Sequence, residues 1–247
     1  MYFFDCNTYF GNTTSMRVGA FSSVSVLVSN LKKYSVKKAL VYHTLSKAYH
    51  PTFGNDALIR EIENYPQLLP VWAVMPNHTN EFLSIAELEE KMRENHIKAV
   101  RMFPNEHNFS ISEWCCGELI HFLEDKRIPL MIDMSSITCN DLYELCKSHT
   151  NLSIILIETG YSVDRKLYPL MKYFPNIYIQ SGGYHACNGI ENICTHFGAE
   201  RIIFGSGLPS FALGSAISMI QYANITSEDK SKIAHGNLEK MLGGVLL

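Results

Sequence analysis

Two carboxylates in the sequence stand directly after short apolar runs, in a pattern suited to acid–base chemistry. Asp133 follows PLMI (129–132), and Glu158 follows SIILI (153–157). If these runs are neighbouring strands of one parallel sheet, both carboxyl groups lie at the same edge, where burial and like charge drive their pKa values apart. His185, in GYHACNG, adds a proton carrier for neutral pH. We therefore predict Asp133, Glu158 and His185 as catalytic residues.

A second set of residues follows other apolar runs and suits ligand binding. Arg101, in AVRMF (99–103), has the planar fork that pairs with a carboxylate or phosphate. Alternatively, it neutralises Asp133 or Glu158 in a purely structural ion network. Two histidines are alternative proton carriers, and an amide and two tyrosines can hydrogen-bond to a ligand or close over it. The predicted substrate-binding residues are Asn7, Tyr9, His43, Arg101, His107 and Tyr184.

Eight short apolar runs alternate with longer amphipathic segments along the chain. The runs are 2–4, 38–42, 69–75, 99–103, 129–132, 153–157, 177–179 and 201–204. Helices are predicted at 55–65, 84–96, 112–126, 140–148, 164–172, 189–197 and 212–223, with a further start near Ser227, whereas the stretch after His43 is predicted as a long loop. This alternation is typical of parallel strands covered by helices.

Eight strand–helix units in about 250 residues match the size of a TIM barrel, so we predict an α/β fold with a single (β/α)8 barrel. A doubly wound open sheet is disfavoured because no G-x-G-x-x-G follows the first run. In a barrel, functional groups come from the carboxyl ends of the strands, which is where the candidate residues above lie.

Composition narrows the class of protein. The formal net charge is −3 and the lysines and arginines are scattered, so neither a nucleic acid nor a membrane is expected as a partner. Seven cysteines without a C-x-x-C pair indicate a reducing cytoplasm rather than a disulfide framework. No export signal is evident, and no apolar run reaches the ~18 residues that cross a bilayer. Without a linker-like segment, we expect one domain, residues 1–247, acting on a small molecule.

Three segments also occur in a familiar order. FFDCNTYFG (3–11) opens the chain, IKAVRMFP (97–104) contains the fourth run, and GAERIIFGSGLP (198–209) precedes SEDKSKIAHGNLEKMLG (227–243). In this order they resemble the amidohydrolase superfamily, specifically its amidohydrolase-related branch of metal-dependent hydrolases and decarboxylases. They are similar to that family's opening D-x-H-x-H-x-G strand, its fourth strand, and its last strand with the closing helix. The resemblance covers essentially the whole chain and implies a (β/α)8 barrel.

The positions where the resemblance implies metal ligands carry other residues in this chain. Asn7 and Tyr9 stand in place of the two first-strand histidines, and Asp133 stands in place of the fifth-strand histidine. Glu158 replaces the sixth-strand histidine, and Gly207 in GSGLP replaces the eighth-strand aspartate. The usual metal site is therefore not expected.

A remodelled metal site is one interpretation of these changes. Asp5, Asp133, Glu158 and His185 offer oxygen and nitrogen ligands that suit zinc or manganese. However, the H-x-H chelate is lost and no close pair of ligands replaces it, so we expect no tightly bound cofactor. Asp5 and Asn7 are expected to face the pocket, opposite Cys6, although Asp5 is better explained as a cap for backbone amides or a brace for a neighbouring strand than as a catalytic group.

Two classes of function remain. The first is a divergent hydrolase or lyase of amidohydrolase type, with the usual metal site lost or remodelled, acting on a small polar metabolite such as a carboxylated one. The second is a non-catalytic descendant that binds a metabolite or partner at the barrel mouth. The many polar strand ends favour retained ligand binding, because buried charges are costly. The resemblance leaves a homodimer open by analogy alone.

Overall fold

The structure, a computed structural model, describes residues 1–12 and 21–247. Within these ranges, parallel β-strands alternate with helices. The strands are β1 Phe3–Phe10, β2 Val36–His43, β3 Leu68–Pro70, β4 Trp72–Ala73, β5 Val100–Met102, β6 Leu130–Asp133, β7 Ile154–Ile157, β8 Ile177–Gln180 and β9 Ile202–Ile203. Each predicted run overlaps a strand, and the third run overlaps β3 and contains β4.

Helices follow the strands along the described chain. The α-helices are α1 Val24–Lys33, α2 Leu45–Ala48, α3 Pro51–Ile62, α4 Ile85–Glu94, α5 Glu113–Asp125, α6 Cys139–Ser148, α7 Asp164–Tyr173, α8 Gly189–Phe197, α9 Leu213–Tyr222, α10 Ser227–Ser231 and α11 Asn237–Gly243. Short 3₁₀ turns occupy Met134–Ser136, Ser181–Gly183 and Ala199–Arg201, and a π-helical turn occupies Lys232–Gly236. None of the described helices has both the length and the apolar character needed to cross a membrane.

The sequence explains several helix starts. Ser84 and Glu87 form a reciprocal capping box at the start of α4, and Pro51 occupies the first turn of α3, where its missing N–H leaves no hydrogen bond unmade. The prediction of a long loop after His43 is wrong, because α2 and the first turn of α3 lie there. The four-residue α2 is too short to show an amphipathic period in the sequence.

The strands close into a barrel. One sheet has the order β1–β2–β3, and a second runs in chain order from β4 to β9. Only Val71 separates β3 from β4, and its N–H donates to the Val41 carbonyl at 2.8 Å, so the two segments act as one barrel strand. The Cys6 N–H donates to the Phe204 carbonyl at 2.9 Å, which joins β1 to the chain after β9. The predicted (β/α)8 barrel is confirmed.

Two apolar clusters form the core on the two faces of the barrel wall. The larger includes Val41, Met102 and Ile132 and packs between strands and helices, whereas the smaller includes Leu40 and Met131 and fills the interior. Adjacent strand residues fall into different clusters because side chains alternate across a strand. This alternation directs other side chains of the same strands into the interior at the carboxyl ends of the strands, which we call the barrel mouth.

An irregularity in β1 changes which of its side chains face inward. The pairing register with β2 shifts between Asp5 and Thr8. Cys6 belongs to the interior apolar cluster, Asn7 contacts an interior guanidinium, and Asp5 binds the Ser206 backbone. The expectation that Asp5 and Asn7 share a face opposite Cys6 is therefore wrong, because a bulge breaks strict alternation.

Candidate functional site at the barrel mouth

Arg101 lies at the centre of the barrel mouth and is almost fully buried. Its Nη1 donates to Asn7 Oδ1 at 2.8 Å, and its Nη2 donates to the Asp133 carboxylate. The guanidinium carbon lies 4.7 Å from the Tyr42 ring centroid and 5.2 Å from that of Phe103. Burial alone lowers the pKa of Arg101, but Asp133 and then Tyr42 raise it above its ordinary value. The guanidinium is therefore permanently charged and is held in place beside two aromatic rings.

Asp133 has a second cationic partner, Lys47, which the sequence did not indicate. The Lys47 ammonium lies 3.1 Å from Asp133 Oδ2 and 3.0 Å from Glu106 Oε1. Burial raises the pKa of Asp133, but Arg101 and Lys47 outweigh it and hold the pKa below the ordinary value. Asp133 is consequently ionised, and Arg101, Asp133, Lys47 and Glu106 form a chain of alternating charge. We call these four residues the mouth network.

Asp5 is fully buried beside the mouth network and binds backbone rather than the mouth. Its Oδ1 accepts from Asn7 N at 3.0 Å and Ser206 N at 2.9 Å, and its Oδ2 accepts from Ser206 Oγ at 2.5 Å. Burial raises the pKa of Asp5 to about 6, although these three hydrogen bonds lower it. Asp5 thus links β1 to the loop after β9, which agrees with the bracing role.

Glu158 combines an exposed carboxylate with a strained backbone. Its φ of 53° lies in the left-handed region, which costs a non-glycine residue about 1–2 kcal/mol. Gln180 Oε1 accepts from the Glu158 N–H at 3.1 Å, and a Cβ on Gly183 would lie 2.7 Å from the Glu158 Cα, so neighbours fix this conformation. Glu158 directly follows β7, whose last residue Ile157 pairs with Asp133 at the end of β6, so both carboxylates lie at the barrel mouth. The charge of Glu158 contributes to raising the pKa values of Tyr42 and Arg101.

The three candidate histidines lie in different surroundings. His43 is buried at the end of β2, where its Nδ1 accepts from Leu45 N at 3.2 Å and its Nε2 lies 3.5 Å from Glu61 Oε1. Burial lowers the pKa values of His43 and His107, so both are neutral at pH 7. His185 is exposed, and its ring centroid lies 6.3 Å from that of Phe211. His185 is the candidate histidine open to solvent.

The two candidate tyrosines are also separated. Tyr9 lies at the mouth, with its hydroxyl bonded to Ser210 Oγ and its ring centroid 5.3 Å from that of Tyr42. Tyr184 is fully buried, and its hydroxyl donates to Asp164 at 2.7 Å at the start of α7. The structure therefore groups Tyr9 with the mouth network and places Tyr184 in the packing between loop and helix.

A cavity of about 580 Å³ opens beside the mouth, between the loops that follow β4 and β5. His78, Asn105, His107 and Trp114 are among the residues that line it. The indole of Trp114 is 80 % exposed, which is unusual for so large an apolar side chain. The cavity offers a small molecule both polar and aromatic contacts.

The donor groups of the mouth do not fit a divalent cation in this arrangement. Asn7 Oδ1 and the Asp133 carboxylate both face the Arg101 guanidinium, and Gly207 has no side chain. The alternative set is also divided, since the oxygens of Asp5 are occupied by backbone and serine donors. Among the described residues, the one group of three metal-ligating side chains whose ligand atoms lie within 4.8 Å of one another lies elsewhere, on α5 and at the residue after α6.

Sequence reasoning missed Lys47, Glu106, Tyr42 and Phe103. Tyr42 and Phe103 each lie two residues along a strand from an inward-facing position and could have been found from strand alternation. Lys47 belongs to α2, and Glu106 lies in the loop after β5. No spacing rule connects these two residues, so only the folded chain shows that their charges meet.

The fold is a (β/α)8 barrel, and ionised residues lie at the carboxyl ends of its strands. This is the end at which TIM-barrel proteins carry their functional sites. Residues 48–244 match the family model for amidohydrolases, and the chain belongs to this family. The family prediction is thereby confirmed. A comparison with curated proteins gives no significant match.

Solved structures share the fold at low sequence identity. A dihydroxybenzoic acid decarboxylase from Polaromonas, with bound manganese and 2-nitroresorcinol, has a TM-score of 0.76 at 12 % identity, covering 98 % of this chain and 97 % of that one. A 5-carboxyvanillate decarboxylase from Sphingomonas paucimobilis has a TM-score of 0.76 at 11 % identity, and the alignment covers 98 % of this chain and 99 % of that one. A probable 2-pyrone-4,6-dicarboxylic acid hydrolase from Acinetobacter baumannii, with citric acid bound, has a TM-score of 0.69 at 16 % identity. The alignment covers 98 % of this chain and 100 % of that one.

Proposed function

We propose that this chain is a hydrolase or lyase that acts on a small carboxylated aromatic compound at the barrel mouth, with Glu158 as the proton-transfer group and without a metal there. The observation that carries this proposal is the backbone of Glu158. A left-handed glutamate is unfavourable, and no hydrogen bond or ion pair of its carboxylate to another described residue offsets the strain. Strain of this kind is typically found at functional sites.

The mouth network supports recognition of a carboxylate. Lys47 is one-third exposed, whereas Arg101 is held beneath it. Glu106 therefore occupies the position at Lys47 that a substrate carboxylate would take, and binding exchanges one carboxylate for another. The named compounds of the three similar structures, a dihydroxybenzoic acid, 5-carboxyvanillate and a pyrone dicarboxylic acid, share a planar ring with a carboxyl group.

Asp133, Glu158 and Tyr9 have different roles in this proposal. Asp133 is ionised between two cations and serves as a fixed anion that holds Lys47 and Arg101 in place. Glu158 is exposed and free to exchange a proton with water or with a bound substrate. A positioned proton-transfer group of this type contributes about 10²–10⁴-fold to a rate. Tyr9, beside Ser210, can donate a hydrogen bond to a ring substituent.

Turnover assays on chelator-treated protein test this proposal. Dihydroxybenzoate, 5-carboxyvanillate and 2-pyrone-4,6-dicarboxylate are offered separately, and products are separated by chromatography. We expect turnover of at least one compound and a loss of about 100-fold or more in Glu158→Gln. Glu63→Gln, a change at the exposed residue that follows α3, is the control and should keep full activity. Equal rates in both variants would contradict the assigned role of Glu158.

A non-catalytic binding function is the second candidate. It is favoured by the ion pairs that Asp133 forms with Arg101 and Lys47, because they lower its pKa. Asp133, one of the two carboxylates expected to act as acid or base, therefore stays ionised near neutral pH. In that case, the same compounds bind with a measurable Kd but are recovered unchanged.

We further propose that residues 1–247 act as one domain in a reducing compartment, which agrees with seven free thiols.

A further inference from the structure

A cluster of histidine and glutamate side chains lies away from the mouth, between α5 and the end of α6. His149, the residue after α6, is fully buried. Its Nδ1 lies 2.8 Å from Glu124 Oε2, and its Nε2 lies 2.8 Å from Glu113 Oε2. Both ring nitrogens therefore face carboxylates at hydrogen-bond distance.

This arrangement requires a cation. A neutral imidazole has one N–H, so it can donate to one carboxylate while its other nitrogen presents a lone pair. A lone pair facing a second carboxylate is repulsive unless a proton or a metal ion lies near it. Glu124 is the better fixed of the two acids, because its Oε1 also accepts from Asn151 N at 2.8 Å. His149 thus donates from Nδ1 to Glu124, and its Nε2 lone pair is directed toward Glu113.

A third side chain is directed toward the same point. The His121 and His149 ring centroids are 4.6 Å apart and nearly perpendicular. His121 Nδ1 lies 2.8 Å from the Gly117 carbonyl oxygen and 3.6 Å from Glu113 Oε1, so binding a metal through Nδ1 would replace the hydrogen bond to this carbonyl. Glu113, His121 and His149 each offer one ligand atom within 4.8 Å of the others.

The glycine in the middle of α5 is an independent observation. Glycine is unfavourable inside a helix relative to alanine. A Cβ at Gly117 would lie 2.5 Å from Glu113 Oε1, so the missing side chain provides the space in which the Glu113 carboxylate folds back along the helix. The glycine thereby allows Glu113, eight residues before His121, to reach the two histidines.

We propose that Glu113, His121 and His149 form a zinc site that joins α5 to the end of α6. Two imidazole nitrogens and one carboxylate oxygen are a ligand set that zinc accepts, with water in the fourth position. Glu124 would act as the outer carboxylate that orients a ligating histidine and fixes its tautomer. The side chains of Glu113 and His121 are 54 % and 61 % exposed, so an ion can enter and Glu113 can shift to accommodate it. The site is independent of the mouth and of the proposed reaction.

Calorimetric titration of the tag-free, chelator-treated chain with zinc chloride tests this site. We expect one zinc per chain, with affinity reduced at least tenfold in His121→Gln and in Glu113→Gln. Both positions are exposed, so the variants should fold. His196→Gln is the matched control, because His196 makes the same bond to the carbonyl four residues earlier, at 2.8 Å, and should bind zinc normally.

Two further measurements test the ligand types and the geometry of this zinc site. Cobalt(II) in place of zinc should show a four- or five-coordinate visible spectrum without thiolate charge transfer, which excludes a cysteine site. Gly117→Ala should displace Glu113, weakening zinc binding several-fold while the apo protein keeps or gains thermal stability. Failure of the parent chain to bind zinc, or unchanged binding in His121→Gln and Glu113→Gln, would overturn the proposal and leave a protonated His149 as the cation between the two glutamates.

Discussion

The buried carboxyl of Asp5 gives the most quantitative prediction. Asp5 receives hydrogen bonds from Asn7 and Ser206, yet burial raises its pKa from an ordinary 3.8 to about 6. Asp5→Asn removes the charge and keeps the shape, and its amide oxygen can accept the same two backbone N–H groups. The amide nitrogen can donate to Ser206 Oγ in place of the bond that this hydroxyl now donates.

The sign and magnitude follow from linkage between protonation and folding. A carboxyl with a raised folded-state pKa binds protons more tightly when folded, so the parent chain gains stability as pH falls through about 6 toward 4. A difference of about two pKa units corresponds to about 3 kcal/mol. Above pH 7 the full penalty of the buried charge is present, and most of it is gone at pH 4, near the ordinary pKa of 3.8. Asp5→Asn carries no such charge and lacks this dependence.

Urea unfolding of both proteins between pH 4 and pH 8 measures this difference. The unfolding free energy of the parent minus that of Asp5→Asn should rise by about 2.5 kcal/mol on acidification from pH 7.5 to 4, because all other titrations cancel in the difference. A flat difference, or a fall on acidification, would refute the reasoning and show that the hydrogen bonds to Asp5 outweigh its burial.

Three further predictions concern the mouth. Arg101→Met should destabilise the fold by about 3–5 kcal/mol in urea unfolding, since it leaves Asp133 buried with Lys47 as its remaining partner. Adding Asp133→Asn to this variant should recover a substantial part of the lost stability. Additive losses in the double variant would contradict the ion pair. Glu106→Gln should lower the Kd for 5-carboxyvanillate several-fold by freeing Lys47, whereas weaker binding would place the carboxylate elsewhere. Glu158→Gly should raise the unfolding free energy by about 1 kcal/mol while abolishing turnover, and a loss of stability would show that its backbone is not strained.

The alternation of apolar runs with amphipathic segments was enough to predict the barrel, because hydrophobic periodicity reports directly on strands and helices. Strand ends also predicted that Arg101 and Asp133 share the mouth, including the alternative that they form an ion pair. The inward position of Cys6 could not be predicted, since a bulge depends on how β1 pairs with both its neighbours.

Contacts between distant segments account for the remaining differences. Lys47 reaches Asp133 from a four-residue helix that carries no periodic signal, across 86 positions of sequence. His149, the residue after α6, meets Glu113 on α5 across 36 positions of sequence. The sequence neighbours of His149 alone could not show that two carboxylates meet its buried ring.

The most direct test of the account is turnover of the three carboxylated aromatic compounds by protein from which metals have been removed, with metal content verified by mass spectrometry. We predict that activity persists without metal, does not increase when manganese or zinc is restored, and disappears in Glu158→Gln. Activity that is lost with the metal and returns with manganese or zinc would contradict the central claim that Glu158 and the mouth network act without a metal ion.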